Sequence, residues 1–134
     1  MPSINKLVVP VINAILIICF LSSVKGQPQL HEQEHLCNNK VNSEDSNEEW
    51  NISYLLWDLI QQTPLRGYNQ HVLYGGYYGV AACDGKLSQE DCNDCLDYAN
   101  NEIFKSCSFA EGAQMKLDGC RLRYEHYQIS DSDW

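Results

Sequence analysis

The sequence predicts an α+β domain of two layers, in which two helices cover one face of an antiparallel sheet. Along the chain, a short strand precedes a helix, and a strand pair, a second helix and a second strand pair follow. The helices show apolar residues at helical spacing, and each strand pair flanks a glycine-containing turn. The chain of 134 residues also contains seven cysteines, which favours a small, disulfide-linked domain.

The N-terminal segment predicts export. Lys6 precedes an apolar run from Leu7 to Leu21, and small residues follow as far as Gly26. This arrangement is typical of a secretory signal peptide, and the run is shorter than the roughly 20 residues that cross a bilayer. A buried N-terminal helix is the alternative. Cleavage after Gly26 would leave 108 of the 134 residues, of which 27–34 are polar and expected to be flexible.

The net charge of the chain argues against two classes of binding partner. Eighteen acidic and nine basic residues give a net charge of −9, which becomes −11 once the two lysines of the signal are removed. Binding to nucleic acid or to anionic lipid requires clustered Lys and Arg side chains. We therefore expect neither partner, and no later segment is long and apolar enough to predict a membrane span.

The first strand is expected around residues 36–38, and the first helix follows a polar loop. Ser46 or Asn47 is suited to cap this helix, and Pro64 ends it because the residue before a proline disfavours helical geometry. Five apolar residues at helical spacing form one stripe: Ile52, Leu55, Leu56, Leu59 and Ile60. Three aromatic residues lie beside or opposite that stripe, at positions 50, 54 and 57. We expect them to wrap a small core, with a ligand-stacking shelf as the alternative.

The second half of the chain predicts two hairpins and a helix. Tyrosine- and valine-rich runs at 68–74 and 77–83 flank a Gly-Gly pair, and runs at 112–117 and 121–127 flank an Asp-Gly pair. Between them, Ser88 begins a helix with a sequence similar to a capping box. Its predicted inner face carries Cys92, Cys95, Leu96, Ala99 and Ile103.

Six cysteines remain once Cys19 leaves with the signal. An even number in a short exported chain indicates disulfides, but six cysteines allow 15 pairings and spacing alone does not choose among them. Zinc is the alternative, since Cys92 and Cys95 have a C-x-x-C spacing that Cys83 and Cys120 could complete. Export to an oxidising compartment favours disulfides.

The segment Cys83-x8-Cys92-x2-Cys95 resembles the defining motif of the ginkbilobin-like domain, the plant salt-stress/antifungal module of cysteine-rich receptor-like kinases and cysteine-rich secretory proteins. Flanking residues extend the resemblance, from 78–82 before the motif to 117–125 after it. The similar region covers residues 35–127 and leaves 128–134 as a C-terminal tail.

This resemblance implies a five-stranded antiparallel sheet with two helices on one face. It also implies three disulfides, namely Cys37–Cys107, Cys83–Cys92 and Cys95–Cys120. With one copy of the domain and neither a membrane span nor a kinase, the chain is similar to the small secreted antifungal members, which predicts an apoplastic location.

Ginkbilobin-like proteins are mannose-binding lectins in which an asparagine, an arginine and a glutamate contact the hexose. By position, Asn38 and Glu125 match the asparagine and the glutamate, and Gln114 occupies the place of the arginine. Glutamine lacks the charge and the fork of a guanidinium, and losing a charge-assisted hydrogen bond costs about 1.5–3 kcal/mol. Arg121 and Arg123 both share a strand face with Glu125. One of the two is expected to supply the missing cation.

The resemblance therefore predicts a plant defence protein that binds mannose-type glycans of fungal cell walls by recognition, without catalysis, cofactor or metal. The alternative function is an apoplastic interaction or signalling module that docks on other proteins, ectodomains of the same family among them, and has no sugar site. The alternative is that the site residues are structural: Asn38 would turn the chain, Gln114 would be an exposed strand residue, and Glu125 would pair with Arg123 or Arg121.

Three other features carry less information. Asn51-Ile52-Ser53 is an N-glycosylation sequon at the start of the first helix. The four histidines are scattered and predict no metal site. No Ser/His/Asp arrangement is evident. A Cys/His arrangement would need a free cysteine, since disulfide-bonded cysteines cannot act as nucleophiles.

Overall fold

The computed structural model describes residues 30–42 and 47–133. The predicted signal peptide, residues 1–26, lies outside this part of the chain. The helices and strands follow in the predicted order: β1 Glu32–Cys37, α1 Glu48–Gln62, β2 Asn69–Tyr74, β3 Tyr77–Cys83, α2 Gln89–Cys107, β4 Ala113–Leu117 and β5 Cys120–Glu125. Short 3-10 helices, Thr63–Leu65 and Asp131–Asp133, follow α1 and β5.

The strands form one antiparallel sheet in the order β1-β4-β5-β3-β2. Helix α1 packs on β2 and β3, and helix α2 packs mainly on β4 and β5. Both helices lie on one face of the sheet, and neither of them covers the opposite face, here called the outer face. The predicted fold class is confirmed.

The core lies between the helices and the sheet. All five residues of the predicted apolar stripe on α1 are buried, as are the five predicted for the inner face of α2. At Gly79, an added Cβ would lie 2.7 Å from a methyl carbon of Leu55 and 2.7 Å from one of Leu59. Strand β3 therefore approaches α1 at a distance that only glycine permits without repacking.

Three disulfides cross-link the layers in the pairing that the resemblance implied. Cys37–Cys107 joins edge strand β1 to the end of α2. Cys83–Cys92 and Cys95–Cys120 join the first turns of α2 to β3 and β5. The helix is therefore attached to the sheet at both of its ends.

Two local predictions were wrong. Strand β1 begins at Glu32, so residues 32–34 belong to the sheet and not to a flexible segment. Its side chains are all exposed, so the strand has no alternation of buried and exposed residues, and its pairing with β4 holds it in place. The aromatic residues of α1 do not wrap the core either, since Trp50 and Trp57 are 68% and 55% exposed.

The C-terminal residues pack on the outer face. Ile129 and Val80 are only 6% and 1% exposed, and both line a cavity of about 250 Å³ on this side of the sheet. The side chain of Asp131 lies 3.5 Å from His71 on β2. The segment that the sequence indicated only as a tail therefore covers the β2–β3 side of the outer face.

Candidate functional site

The candidate site lies on the outer face because strands β4 and β5 alternate strictly. Ala113, Met115 and Leu117 point into the core, so Gln114 and Lys116 point to the outer face. On β5 the outer face receives Arg121, Arg123 and Glu125. The same alternation that builds the core therefore collects the polar side chains of these two strands on the opposite side.

Four of the five residues predicted for the sugar site line one pocket of about 270 Å³. Asn38 contributes from the end of β1, Gln114 from β4, and Arg123 and Glu125 from β5. The complete lining is Leu36, Cys37, Asn38, Gly112, Gln114, Arg123, Glu125 and Tyr127. Arg121 lines a different pocket, near Asp84 and Asp118.

Arg123 places a guanidinium in the same pocket as Gln114. It lies directly opposite Gln114 in the β4–β5 ladder. Its Nε donates to Glu125 Oε1 at 3.2 Å, and its terminal nitrogen donates to the Tyr127 hydroxyl at 2.9 Å. These contacts fix the orientation of the guanidinium within the pocket.

Glu125 is a buried carboxylate, only 8% exposed. Burial raises its pKa above the ordinary value, and the Arg123 guanidinium and the Tyr127 hydroxyl oppose part of that rise. A Cβ at Gly112 would lie 1.9 Å from Glu125 Oε2. The carboxylate therefore fits only because residue 112 has no side chain.

Asn38 is held by the backbone around it. Its N–H donates to the Gly112 carbonyl at 2.8 Å, and its Oδ1 accepts from the Lys40 N–H at 2.9 Å. The side chain does turn the chain after β1, and its Nδ2 atom can still offer a donor. The neighbouring Cys37–Cys107 disulfide fixes this turn against α2.

Four lining residues were not predicted for the sugar site, namely Leu36, Cys37, Gly112 and Tyr127. Tyr127 continues the alternation of 121, 123 and 125, so the strand period could have found it. Gly112 carries no local signal, because its role depends on the approach of a side chain from another strand. Gln114 is 9% exposed, so the interpretation as an exposed strand residue was wrong.

Asn51 lies on α1 and does not line this pocket. Its side chain packs on the β2–β3 turn, where a Cβ at Gly75 would lie 2.4 Å from Asn51 Cγ. Glycosylation of this residue stays a prediction. No helix within residues 30–42 and 47–133 has the length and apolarity to cross a membrane.

These features define a small cysteine-rich domain of two layers, with three disulfides and a polar pocket on the outer face of its sheet. A family model described as salt stress response/antifungal matches residues 36–127. The chain belongs to this family.

Several antifungal proteins of seed plants are similar to this chain. An antifungal ginkbilobin-like protein 1 of Picea sitchensis is 30% identical over 123 residues, which cover 87% of this chain and 92% of that protein. Antifungal protein ginkbilobin-2 of Ginkgo biloba is 37% identical over 81 residues, or 56% of this chain and 60% of that protein.

Among solved structures, the tandem DUF26 ectodomain of the Arabidopsis thaliana cysteine-rich receptor-like protein PDLP8 superposes with a TM-score of 0.67. It is 26% identical and the alignment covers 75% of this chain. The chain spans 47% of that ectodomain, which is about half of its length.

Proposed function

We propose that the protein is exported and acts in antifungal defence by binding mannose-type glycans, without catalysis. One observation carries the proposal: Asn38, Gln114, Arg123 and Glu125 line a single pocket on the outer face. Relatives named as antifungal proteins support the defence role. The three disulfides support export, because such bonds persist in oxidising compartments.

The lining has the chemistry that hexose recognition needs. The Glu125 carboxylate can accept hydrogen bonds from hydroxyl groups, and the Arg123 guanidinium offers a rigid fork of donors. Asn38 adds a donor through its Nδ2, and the amide of Gln114 adds a donor and an acceptor. In this proposal Arg123 replaces the arginine that is absent at position 114, since the two residues face each other across the ladder.

A mannose titration followed by NMR or calorimetry tests the proposal. We expect the wild type to bind, and Asn38→Ala and Arg123→Gln to weaken binding by about tenfold or more, because each removes a polar contact. Asn101→Ala, an exposed position on α2, is the matched control and should bind as the wild type does. Absence of mannose binding by the wild type would refute the sugar site.

Retention on mannan and inhibition of hyphal growth extend the test to defence. If the pocket is responsible, free mannose should abolish both and Asn38→Ala should reduce both. Growth inhibition that persists in the presence of excess mannose would separate the antifungal activity from the sugar site.

A second candidate function is docking on another domain of the same family, and an exposed aromatic surface favours it. On α1, the ring of Tyr54 lies 5.8 Å from that of Trp57 and 4.4 Å from that of Tyr74. Trp50 is exposed one turn earlier on the helix. Contiguous exposed aromatic residues are typical of protein interfaces.

The solved ectodomains are tandem, and this chain spans about half of each, so the occupant we propose for this surface is a second such domain. Trp57→Ala should abolish retention by a family ectodomain as bait and leave mannose binding unchanged. Retention that survives both Trp57→Ala and Trp50→Ala would refute this role for the aromatic surface.

A further inference from the structure

A second polar pocket, larger than the candidate sugar pocket, lies on the same outer face. It measures about 450 Å³ and sits at the turn end of the β4–β5 hairpin. Lys116 and Arg121 reach it from the two strands, Gln33 reaches it from β1, and Asp84 and Asp118 reach it from adjacent loops. The proposed function assigns nothing to these residues.

The two pockets occupy one continuous strip of the sheet. Gln114 pairs with Arg123, and the next pair on the same face is Lys116 with Arg121. Two residues along a strand span about 7 Å, so the second pair lies immediately beside the first. A bound ligand longer than one hexose that extends from the candidate sugar pocket along the strands would contact Lys116 and Arg121.

The charges of the second pocket favour a neutral, hydroxylated ligand. Lys116 and Arg121 oppose Asp84 and Asp118, so the formal charges of the lining cancel. Gln33 Nε2 donates to Asp118 Oδ1 at 2.8 Å, and Lys116 Nζ lies 3.6 Å from Glu34 Oε2. Donors and acceptors are interspersed, which suits hydroxyl groups that both give and accept hydrogen bonds.

We propose that the outer face binds an oligosaccharide of at least two neutral hexose units. One unit occupies the pocket of Asn38 and Glu125, and the next lies against Lys116, Arg121 and Asp118. This inference rests on the proposed function, because it extends that site along the β4–β5 hairpin.

The experiment compares mannose with mannotriose by calorimetry. For the wild type we expect mannotriose to bind about tenfold more tightly or better, the effect of one added charge-assisted hydrogen bond. Arg121→Gln should remove this gain and leave mannose affinity unchanged, and Asp118→Asn should reduce it. Arg66→Gln, at an exposed position that lines neither pocket, is the matched control and should behave as the wild type.

The NMR amide signals of the wild type provide a second readout, which needs no variant. The amide signals of residues 116–121 should shift with mannotriose and stay in place with mannose. Equal affinity of the wild type for the two sugars would overturn the inference and leave the mannose site intact. Equal weakening of both sugars by Arg121→Gln would also overturn it. Failure of both sugars to bind would overturn the proposed function as well.

Discussion

Gly112→Ala should remove the function of the pocket and preserve the fold. The new Cβ would lie 1.9 Å from Glu125 Oε2 and 2.7 Å from Glu125 Cδ. Because the obstructing atoms are the end of a flexible side chain, the carboxylate swings out of the pocket and the backbone stays in place. Residue 112 does not have a positive φ, so alanine adds no backbone strain there.

The magnitude follows from the contact that is lost. A hydrogen bond from a sugar hydroxyl to a carboxylate contributes about 1.5–3 kcal/mol, so mannose affinity should fall by about 10- to 150-fold. The free energy of unfolding should fall by only about 1 kcal/mol, because hydration of the displaced carboxylate offsets the loss of its Arg123 partner.

Mannose titration of the purified variant, with thermal unfolding alongside, measures both quantities. Gly85→Ala is the matched control, since a Cβ added at Gly85 would have no heavy atom within 4 Å and the φ of this residue is not positive. Gly112→Ala with wild-type affinity would show that Glu125 is not a ligand. Glu125→Gln gives the same test without a steric change and should weaken binding in the same direction.

Four further predictions concern pH and stability. Because burial raises the pKa of Glu125, mannose affinity should fall on acidification at a higher pH than for an ordinary glutamate. Glu125→Gln should abolish this pH dependence. The same loss of affinity at low pH in that variant would contradict the assignment. The same raised pKa means that the native state binds this proton more tightly than the unfolded state, so this group's contribution to stability falls as pH rises from the ordinary value through the raised one. Replacing Cys37 and Cys107 by alanine should lower the free energy of unfolding, measured in guanidinium, by about 4.4 kcal/mol, because the closed loop spans 70 residues. Replacing Cys83 and Cys92 should lower it by about 2.6 kcal/mol, because that loop spans 9 residues. The reverse order of the two losses would refute the loop-length argument. Gly79→Ala should cost about 1–3 kcal/mol in the same assay, because its Cβ would overlap Leu55 and Leu59, and unchanged stability would show that α1 can move away from β3.

The fold could be predicted where side chains face a core. The stripe that begins at Ile52 and the cap at Ser88, whose side chain accepts from the Asp91 N–H, are local patterns with one physical solution each. Strand β1 is different, because all of its side chains are exposed and it exists through backbone pairing with β4. The exposed aromatic residues of α1 were also misassigned, since aromatic character alone does not say which face of a helix is covered.

The site could be predicted in part. The resemblance supplied Asn38, Gln114 and Glu125, and strand alternation placed Arg121 and Arg123 on one face with Glu125. Only the register distinguishes the two arginines: it sets Arg123 opposite Gln114 and Arg121 opposite Lys116. Register depends on how the two strands meet in the folded sheet, which neither strand encodes by itself.

The two faces of the sheet carry different residues, so under the proposed function an arginine at position 114 could be replaced by one at position 123 without loss of the fold. The inner face holds the core residues of β4 and β5, and the disulfides join that side to α2. Gln114 and Arg123 belong to the outer face, so exchanging charge between them leaves the packing of the core unchanged. Because they are direct cross-strand partners, a guanidinium on either strand reaches the same pocket. We therefore expect single substitutions on β4 or β5 to change the ligand preference of the proposed site, while the core and the cross-links keep the pocket in place.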